Sequence, residues 1–394
     1  MRIALVADTF PPLRSSGAVQ LRDLSREFAR QGHSLSVLLP SSNQQEPWTL
    51  EYTDNVQLLR LKAPRTKDVG YIRRTLAELL MPFAMWWNLR KSPLSDTQWE
   101  GVVWYSPSIF FGPLVSWLKH SRGCKSYLII RDIFPEWAVD MGLMRKGLVY
   151  RFYDAVARYQ YSVANAVGVQ TFGNRAYFSE WEIKPHRQLE VLQNWLGEAS
   201  QSPCSIRVDN TDLKGRRVFV YAGNMGVAQG LDIFLDMMER MRERPDVGFL
   251  FVGRGSEAAR LKAEAKHRKL KAVFFDEINP DEIPALYAQC DVGIVSLDSR
   301  HKSHNIPGKF LTYMQSGLPV LAKVNFGNDL ARVIQSEDVG GVCESNNLED
   351  LLRITDNLLA RVKSDAELPT RCISLFKTRY SVEKAVGQIV AALT

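Results

Sequence analysis

The chain has 394 residues, too many for one core of ordinary size, and at roughly 150 residues per domain the length implies two domains. Hydrophobic residues make up 45% and charged residues 24%, a globular composition that excludes a disordered chain. The formal charge of +7 suits anionic partners or simply a soluble basic surface; without an RRM, KH or helix-turn-helix signature, nucleic acid is not expected.

The start, Arg2-Ile3-Ala4-Leu5-Val6-Ala7-Asp8, is too short and too soon interrupted for a signal peptide and reads as a buried first strand. Further strands are expected at 34–39, 56–61, 101–105, 125–131, 165–170 and 188–193. The first helix runs from about Gly17 to Arg30, with Leu21, Leu24 and Phe28 at helical spacing, and Gly32 ends it. Around residues 197–215 the apolar periodicity stops, which reads as a linker. Beyond it, strands are expected at 218–223, 248–253, 272–276, 291–297 and 319–323, each followed by a helix. Alternation of this kind specifies an α/β fold of two doubly wound domains, 1–197 and 198–375, and places ligands at the carboxyl ends of the strands. A helix over 376–394 is expected to pack back toward the first domain. The five cysteines are scattered, odd in number and without a C-x-x-C pair, which fits a reduced, cytoplasmic setting and no zinc site.

Residues 71–91 stand apart. An apolar stretch of Leu, Met, Phe and paired tryptophans is flanked by Arg73, Arg74, Arg90 and Lys91. It is short for a membrane span of about 20 residues and contains Glu78 and Pro82, but it fits a helix lying in anionic headgroups. A buried core helix or a dimer face would read the same way.

Four loops carry anion-binding features. Arg14-Ser15-Ser16-Gly17 precedes the first helix, where free amides and the helix dipole favour an anion, although plain N-capping explains it equally. Gly223-Asn224-Met225-Gly226 and Gly253-Arg254-Gly255 follow consecutive strands, and their glycines permit close backbone approach to a ligand or simply a tight turn. The stretch His304-Asn305-Ile306-Pro307-Gly308-Lys309 opens the next helix. A lysine in a first turn opposes the helix dipole unless an anion is bound there, so Lys309 with the amides of 306–308 reads as a diphosphate cradle.

Five stretches in this order resemble the retaining glycosyltransferases of family 4, in the branch that builds O-antigen and capsule with aminosugars. They are Ile130-Arg131-Asp132-Ile133-Phe134-Pro135-Glu136, Val191-Leu192-Gln193-Asn194-Trp195, Tyr221 to Gly226, Pro307-Gly308-Lys309 and Tyr313 to Val320. The resemblance implies the GT-B fold, two Rossmann-like domains facing a central cleft. It also implies transfer of an N-acetylated hexosamine from a UDP-linked donor to a lipid-linked saccharide at the inner face of the plasma membrane. Carried over by residue, Ser16 and Gly17 would face donor phosphate and acceptor, and Asp132 would bind the donor sugar and support oxocarbenium charge. Gly223, Asn224, Gly226, Gly253 and Arg254 would line the phosphate side, the backbone at Ile278 would pair with the base, and Lys309 would neutralise the leaving diphosphate. The family's two glutamates fall here on His304 and Thr312, a departure that leaves donor identity open. The chain shows no D-x-D-type pair, so no metal and no cofactor beyond the nucleotide sugar is expected. A non-hydrolysing sugar-nucleotide epimerase or a non-catalytic nucleotide-sugar-binding protein are the rival readings.

Overall fold

The computed structural model describes residues 1–13, 15–67, 69–298 and 306–394. In the first half the apolar runs become strands β1 (Arg2–Val6), β2 (Ser34–Ser41), β3 (Trp48–Thr53), β4 (Val56–Lys62), β5 (Gly101–Ser106), β6 (Lys125–Ile130), β7 (Ala166–Val169) and β8 (Gln188–Val191). They form one sheet in the order β3-β4-β2-β1-β5-β6-β7-β8. Every pairing is parallel except β3 with β4.

Strand β3 is absent from the sequence expectation. It makes a two-residue hairpin with β4 in which Thr53 lies opposite Val56 and both Asp54 and Asn55 take positive φ, 50° and 62°. Asp and Asn tolerate that region, and a turn of this hand matches the strand twist. The strand is hard to read because Trp48 and Leu50 on one face are only half buried and the other face, Thr49, Glu51 and Thr53, is polar.

The second half supplies β9 (Arg217–Ala222), β10 (Val247–Val252), β11 (Ala272–Phe275), β12 (Val292–Ser296), β13 (Val320–Lys323) and β14 (Gly340–Cys343), an all-parallel sheet ordered β11-β10-β9-β12-β13-β14. The unpredicted β14 is short and opens with two glycines, and a Cβ on Gly340 would fall 2.1 Å from the Val320 carbonyl oxygen.

Two compact units result: Met1–Gly197 with Val382–Thr394, and Glu198–Ser381. In the first, one sheet face is covered by Leu21, Leu24 and Phe28 of the helix Ser16–Arg30 together with Val386, Ile389 and Leu393 of the terminal helix Val382–Leu393. Each such side chain, fully buried, contributes about 1.5–3 kcal/mol. The region expected as one helix from 376 is thus divided, because Leu368–Arg379 belongs to the second unit and Val382 begins a new helix in the first. The stretch expected as a linker is also packed: Cys204, Ile206, Val208 and Leu213 are buried. Gln289 holds it, accepting from Val208 N and donating to the Ile206 carbonyl.

Candidate active site

In the unit Glu198–Ser381 the connections leave β9 and β12 in opposite directions, the crevice where parallel sheets bind ligands. The two strands pair only at Phe219–Val292 and Val220–Gly293 before parting. The Tyr313 hydroxyl fills the opening, 3.0 Å from the Val220 carbonyl and 3.2 Å from that of Ile294. Gly293 is required there, because a Cβ would lie 2.6 Å from the Tyr313 ring.

At the mouth of this crevice stands Lys309, second residue of the helix Gly308–Gln315. Its ammonium lies 3.6 Å from the centroid of the Tyr221 ring. Gly223 lies against the lysine chain and takes φ +138°, a conformation that favours glycine. Burial pulls the ammonium down to about 7, and among the described residues no carboxylate pairs with it. The first-turn amides that intrahelical bonding leaves over, the helix dipole and a cation–π contact therefore meet at one lysine that no described carboxylate compensates. Ile306 is buried and anchors the approach, Pro307 caps the helix in extended conformation, and Gly308 has open space beside it. The Thr312 hydroxyl donates to the Gly308 carbonyl at 3.4 Å. His304 lies outside the described residues.

The glycine loops resolve differently from one another. Gly223 N donates to Val252 O at 2.9 Å and Met225 N to Arg254 O at 2.7 Å, so the loops after β9 and β10 extend the sheet pairing. A Cβ on Gly253 would sit 2.1 Å from Gly223 O, with φ at +142°. Gly253 therefore serves the packing of the two loop backbones. Arg254, expected to charge this loop, is 77% exposed and paired with Glu277 at 2.8 Å, beside the half-buried Ile278. Asn224 keeps its loop shape by accepting the Tyr221 hydroxyl proton on its carbonyl at 2.6 Å, while Gly226 N donates to Gln229.

In the unit beginning at Met1, Asp8, Tyr105 and Asp132 stand at the carboxyl ends of the adjacent strands β1, β5 and β6. Arg131 donates to Gln20 and Asn194, and Gln20 donates to Asn194 at 3.3 Å. The Trp195 indole donates to the Gln20 carbonyl at 2.8 Å. Asn194 and Trp195, with Gln20, thus bracket Arg131, the chain neighbour of the exposed Asp132. Burial foremost, with the charges of Asp132 and Asp8, pushes the Tyr105 hydroxyl up to about 12 although Arg131 opposes it. Gly17 lies against Tyr105, whose hydroxyl would be 3.2 Å from a Cβ there. Ser15, not the exposed Ser16, caps the helix by accepting from Ala18 N. Asp8 was not singled out by sequence; its position directly behind an apolar strand was the available signal.

The segment 71–91 forms the helix Tyr71–Leu89. Ala77, Met81, Met85 and Leu89 face the core, and Ile72, Leu76, Leu80, Phe83 and Trp87 form an exposed stripe at helical spacing. Leu79 and Trp86 pack against the core, Trp86 edge-on to Trp117 at 6.0 Å, so they are not available for insertion as expected. Lys91 lies over the Trp87 ring at 5.1 Å. Thr75 meets the Tyr153 hydroxyl at 2.6 Å, joining this helix to Leu148–Val163, whose first turns expose Leu148, Val149 and Phe152 beside Lys146 and Arg151. Among the described residues no helix is long and apolar enough to cross a membrane.

Residues 216–361 match the family model described as glycosyl transferases group 1. The chain is 24% identical over 366 residues to the "Probable glycosyltransferase WbjE" of Pseudomonas aeruginosa, covering 91% of this chain and 89% of that protein. Among solved structures it is similar to WaaG, a glycosyltransferase involved in lipopolysaccharide biosynthesis, with TM-score 0.64, 15% identity and 98% and 99% of the two chains covered. It is also similar to the structure described as trehalose-6-phosphate from E. coli bound with UDP-2-fluoro glucose, with TM-score 0.73, 11% identity and coverage of 100% and 99%.

Proposed function

The chain is a group 1 glycosyltransferase with the GT-B fold, and from that premise we propose that it moves an N-acetylated hexosamine from a UDP-linked donor to a lipid-linked saccharide acceptor in surface polysaccharide synthesis. The observation that carries the proposal is Lys309, a half-buried lysine whose ammonium is desolvated and has no carboxylate partner among the described residues, at a helix start and at the crevice of a parallel sheet. Such a cation is stabilised by a bound diphosphate, and it neutralises that diphosphate best as it departs.

In the reaction the bond between the anomeric carbon and the diphosphate oxygen breaks, and the electron pair leaves with the UDP. The acceptor oxygen bonds to the anomeric carbon on the same face, and its proton passes to the departing phosphate, giving retention. Asp132, next in the chain to the bracketed Arg131, supports the positive charge that develops on the sugar ring. The chemistry runs without a metal, with Lys309 and helix amides taking the charge. The exposed stripe Ile72, Leu76, Leu80, Phe83 and Trp87, with Arg73, Arg90 and Lys91 around it, lies on an anionic bilayer and brings the enzyme to its lipid-linked acceptor.

Calorimetric titration with UDP and UDP-linked N-acetylhexosamines tests the donor assignment. Saturable binding that weakens sharply in Lys309→Ala is expected. Equal affinity in the two proteins, or conversion of the donor to its epimer without transfer, would overturn it.

A further inference from the structure

The unit beginning at Met1 holds a cavity of about 550 Å³ that none of the residues of the proposed reaction lines. One wall is the helix Leu148–Val163; the other is the turn Gly173–Phe178 with the short helix Ser179–Glu182. The long helix runs back against the direction of the strands, because it returns the chain from the end of β6 to the start of β7. Glu136 and Asp154 therefore lie toward the carboxyl ends of the strands, while Ser162, and Lys184 and Arg187 just before β8, lie toward the amino ends. Asp154 and Ser162 stand about 12 Å apart along the helix axis. The cavity is a track along the flank of the sheet.

Its floor is apolar, made by the buried Ile133, Ala157, Phe178 and Trp181. Its rim is charged and balanced, with Glu136, Asp154 and Glu180 against Arg158, Lys184 and Arg187. Arg158 spans the two walls, donating to Asp154 at 2.9 Å and to Glu180 at 3.3 Å. Glu136 accepts from the Tyr150 hydroxyl at 3.2 Å, and burial foremost, with the Asp154 charge, raises its carboxyl above the ordinary value. Lys184 and Arg187 have no carboxylate partner among the described residues, and Arg187 lies over the Trp181 ring at 5.0 Å. Both acceptors and donors thus remain available along the track.

This lining selects its occupant by exclusion. An anion would meet the three carboxylates, a cation would meet the three basic groups, and an apolar ligand would desolvate all six charges. A neutral polyol fits, since each hydroxyl both donates and accepts and its C–H faces suit an apolar floor. The volume is that of an ordinary small-ligand site, and the elongated form suits several sugar rings in a row. We propose that this flank cavity binds a neutral oligosaccharide, a segment of glycan chain other than the sugar that reacts. The proposal rests on the transferase reading above and gives the enzyme a hold on its carbohydrate that is separate from the reacting groups.

The experiment is saturation-transfer NMR and titration with two neutral tetrasaccharides, one of N-acetylglucosamine and one of glucose, with saturating UDP present. Wild type is compared with Ser162→Trp and Ala176→Trp, which place a bulky ring in the cavity from exposed positions on its two walls. At least one tetrasaccharide should bind wild type saturably and bind each variant about 10-fold or more weakly. Unfolding temperature and the rate of transfer to a disaccharide-bearing acceptor should stay as in wild type. Absence of saturable binding to wild type, or equal binding by a folded variant, would overturn the proposal, as would preference for an acidic tetrasaccharide of galacturonate. Transfer is read separately: wild type that transfers nothing to any acceptor offered overturns the transferase reading, whereas failed tetrasaccharide binding by an enzyme that transfers overturns this inference alone.

Discussion

Donor binding should draw a proton onto Lys309. Burial takes its ammonium from 10.5 down to about 7, which at 1.36 kcal/mol per unit is roughly 5 kcal/mol of lost solvation. A diphosphate at the helix start restores much of that favourable environment, returning the group toward its ordinary value. At pH 8 the free enzyme would hold this proton in only about one molecule in ten, so binding should take up close to one proton. Calorimetric titrations with UDP at pH 8, in buffers of different ionisation enthalpy, read that number directly. Lys309→Ala should show no such uptake and should lose about 10²-fold in turnover. The same shift has a stability consequence with a definite sign. Between about 7 and 10.5 the unfolded chain binds more protons at this residue than the folded one, so stability rises with pH across that window. Lys309→Met should flatten the rise. Proton uptake identical in wild type and Lys309→Ala would refute the reasoning.

Asp132→Asn keeps the shape of the side chain and removes its charge, so kcat should fall by a larger factor than donor affinity; comparable losses in both would make Asp132 a ground-state contact. Gly253→Ala would force a Cβ to 2.1 Å from Gly223 O at a strained φ, and urea unfolding should show a loss of about 3 kcal/mol or more; an unmoved midpoint would contradict the loop packing. Phe83→Ser with Trp87→Ser should release a folded protein from anionic liposomes, an attraction worth about 1 kcal/mol per nearby basic residue and weakened by salt. Unchanged sedimentation of that variant would place the membrane contact elsewhere.

Most of the sheet framework was legible because buried parallel strands are written as plain apolar runs: Val218 to Ala222 and Phe249 to Val252 are almost wholly buried in the folded chain. β3 was not legible, since an edge strand with one polar face gives no such run, and only Asp54-Asn55 marked its turn. In the site, Lys309 stood out because its charge conflicts with its place in a helix. Gly253 and Arg254 are less legible: a glycine needed for backbone contact and one needed for phosphate are spelled alike, and sequence does not show that Glu277 pairs with the arginine. The pattern of residues 71–91 gave the helix but not its rotation, so Trp86 and Trp87, adjacent in sequence, were read together although one faces the core and the other solvent. Asp8 has only its place after an apolar strand to mark it, and sequence does not show that its Oδ1 is closed off from solvent.

The most direct test of the central claim is the product itself. Purified protein is incubated, with EDTA present, with a panel of nucleotide sugars and a lipid-linked saccharide, and the acceptor is weighed by mass spectrometry and its new linkage assigned by NMR. The expected result is one added N-acetylhexosamine, drawn from a UDP-linked donor, with the anomeric configuration of the donor preserved. An acceptor whose mass never changes, or a donor returned as its epimer, would contradict the proposed transfer, and abolition of activity by EDTA alone would contradict its metal-free chemistry.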